Sequence, residues 1–133
     1  MEYTPLCQSL NEIRLLTIFP EEDPTKPIDC RLRHVTLPCQ TPYYALSYRW
    51  GSLDDTVHIT VSGCIVSVTK NLAHAIQELR RRRIYNIWVD AICINQDDPE
   101  ERAQQVLRMR AIYQHASQTM AWLGYPSDPQ DAI

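Results

Sequence analysis

Residues 88–106 read WVDAICINQDDPEERAQQV, and this stretch decides which fold the rest of the sequence must complete. Its start belongs to a short apolar strand, Ile87–Val89, which turns polar at Asp90. The second half is charged and strongly helical in composition. A strand that delivers polar side chains into a loop before a helix is a common way to build a site in an α/β protein.

The segment from Asp98 to Glu101 carries the signals of a helix start. Asp98 is predicted to be the N-cap, Pro99 suits the first helical position, and Glu101 is placed to complete a capping box. The residues predicted to form the apolar face of this helix are Ala103, Val106, Met109 and Tyr113.

From residue 43 onward the sequence predicts strand, hairpin, helix, strand, helix, strand. YYALSYRWG (43–51) is typical of a buried strand, and VHITV and CIVSV flank a Ser62-Gly63 hairpin turn. The next helix is predicted from an N-cap at Thr69 and from apolar residues at helical spacing, namely Leu72, Ala75, Ile76 and Leu79. With a last strand at 119–123, this order predicts a parallel sheet with helical crossovers.

The first 42 residues are expected to form an N-terminal hairpin and its loops. Residues 13–19 and 28–37 have strand patterns, and the loop 20–27 between them contains three prolines. We therefore predict an N-terminal β-hairpin with loops over 1–42, a core over 43–124 and a polar tail over 125–133.

Composition indicates a soluble cytoplasmic domain. The 133 residues suit one core, and a net charge of −3 argues against nucleic acid as a partner. We interpret Arg80 to Arg83 as cations in the last turn of a helix. Five cysteines without a CxxC pair indicate reduced thiols, and we read no signal peptide or membrane span.

Candidate site residues cluster at the predicted carboxyl ends of two parallel strands, where open α/β sheets bind ligands. Asp90 ends one strand, and Ser47, Tyr48, Trp50 and Gly51 end the other, so the two groups could share one crevice. The loop between adds Cys93, Asn95 and Gln96, which suit hydroxyl or amide recognition in a nucleotide or sugar. The helix adds Glu101, Arg102 and Gln105.

Several of these residues also have a purely structural interpretation. Asn95 and Asp97 could supply turn chemistry, and Glu101 could be a capping-box partner instead of a site carboxylate. Arg102 and Gln105 are expected on the polar side of the helix, facing water or a partner. The tryptophans are expected in the core or at its rim. Another interpretation is that the motif mainly builds the fold. In that case Asp90 caps a turn, and Gln96 and Gln105 satisfy buried backbone groups.

Nucleophilic and metal chemistry have weaker support. Cys93 could act as a nucleophile with a histidine base, but a cysteine inside AICIN is more often a small core residue. Cys30, His34 and Cys39 match no usual zinc spacing, so no metal site is predicted.

Four motifs resemble one family closely. YYALSYRWG, NLAHAIQEL, IWVDAICINQDDPEERAQQVLRMRAIYQHA and AWLG are similar to the heterokaryon incompatibility (HET) domain of filamentous fungi, over about residues 43–124. The resemblance implies an intracellular protein of nonself recognition and programmed cell death after fusion of unlike cells. It also implies self-association, or binding to other incompatibility or NLR-type proteins, and no obligatory cofactor.

The HET domain is itself similar to TIR domains, which implies a flavodoxin-like three-layer α/β sandwich. On that mapping residues 45–48 and 87–90 are the first two strands, and 92–99 is a loop used for self-association and ligand gating. Some TIR-type proteins cleave NAD with a glutamate on the helix after the third strand, here 119–123. After Gly124 the only acids are Asp128 and Asp131. This implies a truncated or minimal member of the family, with Asp90 and Glu101 as the remaining catalytic candidates for NAD cleavage.

Overall fold

A seven-stranded sheet runs through the computed structural model, which describes residues 2–48 and 54–124. The strands are β1 (Glu12–Ile18), β2 (Asp29–Thr36), β3 (Tyr44–Tyr48), β4 (Thr56–Val61), β5 (Cys64–Thr69), β6 (Asn86–Trp88) and β7 (Gln118–Trp122). The helices are α1 (Lys70–Arg81), α2 (Asp90–Cys93) and α3 (Pro99–His115), with a 3-10 turn at Gln8–Leu10. The strand order is β5-β4-β2-β1-β6-β3-β7.

The predicted strand–helix–strand–helix–strand unit is confirmed. Strand β3 pairs in parallel with β6 on one side and with β7 on the other. The first strand of this unit therefore lies between the second and the third. Helix α2 was not predicted, because its four residues fall where the polar loop was expected to begin.

The sheet is mixed, so the expectation of a parallel central sheet holds only for β6, β3 and β7. The N-terminal hairpin is also part of this sheet and does not simply precede it. Strand β1 pairs antiparallel with β2 along its whole length and antiparallel with β6 through Leu16 and Ile87. Leu15 and Leu16 are both fully buried. Since successive strand side chains point to opposite faces, both faces of β1 are covered.

A second hairpin extends the sheet beyond β2. Strands β4 and β5 pair antiparallel around Ser62 and Gly63, whose φ angles of 51° and 81° fit the predicted two-residue turn. Strand β4 then joins β2 in parallel through Asp29 and Thr60. This parallel contact between the two hairpins was not predicted.

Helix α1 follows its sequence signals at its start and in its last turn, which contains Arg80 and Arg81. The Thr69 hydroxyl accepts the Leu72 N–H at 3.2 Å, and the predicted apolar residues are buried. Arg80 lies in the last turn as predicted, and it is also buried. It is 4% exposed and donates to the carbonyls of Pro27 and Lys26 at 3.1 and 2.9 Å, which anchors the 20–27 loop.

The predicted apolar face of α3 is wrong for half of its members. The residues buried on this helix are Glu101, Gln105 and Ile112. Met109 and Tyr113 are partly buried against the core, whereas Ala103 and Val106 are exposed. The reason is Arg14 on β1, a buried cation that draws Glu101 inward and so sets the rotation of the helix. Among the described residues, no helix has the length and apolar character needed to cross a membrane.

Candidate functional site

The loop between α2 and α3 is built from short-range hydrogen bonds. The Asp97 N–H donates to Asn95 Oδ1 at 3.2 Å, which is the turn chemistry considered for these two residues. Gln96 Nε2 donates to the Asp90 carbonyl at 2.8 Å, which agrees with the interpretation that Gln96 satisfies a backbone group of the fold. Asp98 Oδ1 accepts the N–H groups of Glu100 and Glu101 at 3.1 and 3.2 Å, so the predicted N-cap is confirmed.

Glu101 is held in a buried ion pair, not in a capping box. Its two carboxylate oxygens accept from Arg14 Nη1 at 2.9 Å and Nη2 at 2.6 Å. The Asn95 N–H also donates to Glu101 Oε2 at 2.6 Å. The Asp98 N–H, which a capping box would give to Glu101, donates to the Asn95 carbonyl instead. Glu101 therefore fixes the position of the loop from beneath.

Arg14 connects three separate segments, and sequence reasoning missed it. Besides Glu101, it donates to the carbonyls of Cys93 at 3.1 Å and Thr4 at 2.9 Å. Its guanidinium carbon lies 4.7 Å from the centre of the Tyr3 ring, which is a cation–π contact. The available signal was a lone arginine inside the apolar strand 13–19, since a buried charge requires a partner.

The N-terminal segment before β1 packs against the motif. The Tyr3 hydroxyl donates to the Ile92 carbonyl at 2.8 Å, and Leu6 is buried. Burial raises the pKa of Tyr3 to about 12, so this phenol keeps its proton and remains a donor. The N-terminal segment thus forms one wall of the candidate site.

Two small clefts flank Tyr3 in place of the single crevice considered from sequence. The first, about 250 Å³, is lined by Arg14, Asn95 and Glu101, with Asp98 and Glu100 at its side. The second, about 210 Å³, is largely apolar and is lined by Tyr48, Gln96 and Leu72 among others. The structure therefore brings Asn95 and Glu101 together, and separately Tyr48 and Gln96.

Ser47 and Asp90 line neither cleft. Ser47 is exposed on β3, and Asp90 is half-buried as the first residue of α2. Asp90 nevertheless lies near Tyr48, because they lie at the carboxyl ends of the parallel neighbours β6 and β3. Burial, and then the Asp90 charge, raise the pKa of the Tyr48 phenol to about 12. Trp50 and Gly51 lie outside the described residues.

Cys93 is fully buried in the core. Burial raises the pKa of its thiol to about 12, so it is a protonated and poorly nucleophilic group. The residues considered for a metal are used elsewhere: Cys30 Sγ donates to the Thr60 carbonyl, and His34 pairs with Glu12 at 3.0 Å. Within 2–48 and 54–124, no group of three or more His, Cys, Asp or Glu side chains could hold a metal.

Gln105 was expected to face water or a partner, but the structure buries it. It has no exposed surface, and its Nε2 donates to the Glu12 carbonyl at 3.3 Å. Arg102, one turn earlier, is exposed as expected. Trp88 and Trp122 are core residues. The Trp88 and Tyr113 rings meet edge to face with 5.8 Å between their centres. Trp122 Nε1 donates to Asn71 Oδ1 at 3.1 Å.

The sequence that carries the motif loop belongs to a defined family. The family model described as heterokaryon incompatibility protein (HET) matches residues 43–132, and the chain belongs to this family. A curated relative is the heterokaryon incompatibility protein 6, OR allele, of Neurospora crassa, 34% identical over 142 residues that cover 96% of this chain. The chain spans 21% of the length of that relative. No solved structure matches the chain.

Proposed function

We propose that this chain is a cytoplasmic HET signalling module of fungal heterokaryon incompatibility that acts through protein assembly. Its role is nonself recognition leading to programmed cell death, and its partners are other copies or other incompatibility or NLR-type proteins. The contact surface is the exposed part of the motif loop, Gln96 to Asp98.

The observation that carries this proposal is the enclosure of Glu101. Its carboxylate is 4% exposed and already accepts two arginine donors and one backbone N–H. A carboxylate bound in this way is poorly available to a substrate, but it holds a loop rigidly. Pre-organisation of an exposed loop favours protein binding, because less conformational entropy is lost on association.

The order of the parallel strands supports a TIR-like version of the fold. In β6-β3-β7 the first strand of the unit lies between the second and the third, which is how the flavodoxin-like order begins. On this proposal the sheet of a complete domain continues beyond β7.

Charge reversal at the exposed loop tests the function. We expect the wild-type chain, expressed in fungal hyphae, to kill the expressing cells, as counted with a viability dye. Asp97→Arg changes an exposed charge in the loop and should reduce killing strongly, whereas Glu22→Arg makes the same change in the exposed 20–27 loop and should not. Killing by Asp97→Arg at the wild-type level, or none by the wild-type chain, would refute the proposal.

A second candidate function is cleavage of NAD or a related nucleotide. The observation that favours it is the proximity of Asp90 and Tyr48 at the carboxyl ends of two neighbouring parallel strands. A carboxylate there could stabilise the oxocarbenium-like transition state of nicotinamide release, by analogy with glycoside cleavage.

Incubation with NAD distinguishes this candidate. If Asp90 is catalytic, the wild-type chain releases nicotinamide and Asp90→Asn does not, although both melt at similar temperatures. Release by neither protein, or by both equally, would exclude Asp90 as the catalytic carboxylate of this chain.

A further inference from the structure

The first half of helix α3 carries polar residues towards the core and apolar residues towards the outside, whereas Ile112 in its second half is buried in the core. Glu101 and Gln105 are buried, whereas Val106 and Leu107 are 56% and 78% exposed. A helix that packs once, against its own domain, normally shows the opposite arrangement. The outward face of α3 is therefore organised as a second packing surface.

The exposed residues form a continuous stripe. Ala103, Val106, Leu107 and Arg110 follow the spacing i, i+3, i+4, i+7, which places them on one side of the helix. A shallow apolar groove of about 480 Å³ runs along this side, with Pro99 and Arg102 at its margin. The side chains of another helix could pack into this groove, between the side chains that line it.

We propose that a second copy of this chain occupies the stripe, with the two α3 helices packed antiparallel. The argument is charge complementarity along the helix. Its first turn carries the exposed Glu100 carboxylate, with Arg102 at the margin of the groove, and its later turns carry the exposed Arg110. Antiparallel packing brings the acidic end of each helix beside Arg110 of the other, whereas parallel packing would bring two Arg110 residues together.

The two charges are available for this role. Among the described residues, neither the Glu100 carboxylate nor the Arg110 guanidinium takes part in an ion pair. A two-fold axis uses the same patch on both copies, so one stripe is sufficient for a closed dimer. Opposed helix macrodipoles add to the preference for the antiparallel arrangement.

The expected dimer is weak and reversible. One helix stripe buries less than the ~1,000 Å² that a stable interface usually requires, so association should depend on concentration. This inference deepens the proposed assembly function and rests on it, because it names the partner as a second copy. It uses a surface other than the 96–98 loop, so the two proposals can fail separately.

Sedimentation equilibrium of the 133-residue chain, over a wide concentration range, tests the inference. Leu107→Asp places a carboxylate in the apolar stripe and should weaken dimerisation about tenfold or more. The matched control is Ile65→Asp on β5, because Ile65 is 74% exposed and Leu107 78%. The control should dimerise like the wild type, and thermal melts should show both variants folded.

Charge reversal tests the antiparallel arrangement. Glu100→Arg and Arg110→Glu should each weaken the dimer several-fold, and the double variant should return close to the wild-type affinity. Added salt should weaken the wild-type dimer, since the pairs are at the surface.

The inference is overturned if the wild-type chain is monomeric throughout, or if Leu107→Asp and Ile65→Asp behave alike. In either case another protein or another part of a longer chain covers the stripe. Loss of killing by Asp97→Arg would still support the proposed function after such a result. Conversely, a dimer that depends on Leu107 would stand even if Asp97→Arg killed normally.

Discussion

Arg14 and Glu101 lie 87 residues apart in the chain and form a two-point ion pair with almost no exposed surface. Sequence reasoning predicted the local contacts around them, such as the Asp98 N-cap and the Asn95 turn, because these depend on residues two or three positions away. It could not predict the ion pair, because only the folded sheet brings β1 under the motif loop. The role of Glu101 was therefore left between a cap and a site; the structure shows no capping box and places Glu101 in an ion pair beside a small cleft.

Glu101→Gln tests this pair at the residue scale. The substitution keeps the shape of the side chain but leaves the Arg14 cation buried without a counter-charge. We expect the free energy of unfolding to fall by about 3 kcal/mol, as measured by urea denaturation of dilute protein. Glu100→Gln, at the exposed neighbouring position, should change it by less than about 0.5 kcal/mol. Equal effects of the two substitutions would show that the ion pair does not stabilise the fold.

At the scale of single helices and strands, the start of a helix was easier to predict than its last residue, and helix α1 is an example. Thr69 and the apolar spacing located its beginning and its buried face. Its end is a Schellman motif in which Arg83 has a φ of 61°, its N–H donates to the Arg80 carbonyl, and the Ile84 N–H donates to the Leu79 carbonyl. The arginines 80–83 predicted the last turn, but no glycine marks the left-handed residue, so the sequence did not indicate the residue at which the helix stops.

Arg83→Gly should therefore stabilise the protein. Glycine adopts positive φ without a steric penalty, and the expected gain is about 0.5–1 kcal/mol in thermal or urea unfolding. Arg82→Gly is the matched control, because Arg82 has a φ of −81° and glycine there should only destabilise. A loss of stability from Arg83→Gly as large as that from Arg82→Gly would contradict the account of this helix end.

Helix α3 shows how a local pattern can mislead at the same scale. Its apolar residues fit more than one helix face, and spacing alone favoured a face that contains Ala103 and Val106. The face that is buried contains Glu101 and Gln105, because their partners are Arg14 and the Glu12 carbonyl on β1. Tertiary polar contacts therefore set the rotation of the helix.

At the scale of the whole molecule, the parallel unit could be predicted and the complete sheet could not. The alternation of strands and helices after residue 43 implied β6-β3-β7. The pairing of β1 with β6, and of β2 with β4, joins segments distant in sequence without any local signal. The predicted boundary at residue 42 consequently falls within one continuous sheet.

The two buried thiols make the stability of the whole molecule depend on pH in the alkaline range. Burial raises the pKa of Cys30 and of Cys93 from 9.0 to about 12. The folded state therefore keeps protons that the unfolded state releases, so stability is full below about pH 9 and is lost as pH rises towards 12. We expect the free energy of unfolding to fall by about 3 kcal/mol between about pH 8 and 10.

Urea unfolding at a series of pH values measures this loss. Cys93→Ala should make the decline shallower, because one of the two titrating thiols is removed. Cys64→Ala removes an exposed thiol and should leave the slope unchanged. A midpoint that stays constant up to about pH 11 would contradict the burial of these groups.

The central claim is that the motif acts through its exposed loop and not through a catalytic carboxylate. The most direct measurement is the frequency of hyphal death with Asp97→Arg and Asp90→Asn compared side by side. We predict that Asp97→Arg strongly reduces killing and that Asp90→Asn retains it. The opposite result, killing by Asp97→Arg and none by a folded Asp90→Asn, would contradict the claim and favour nucleotide cleavage.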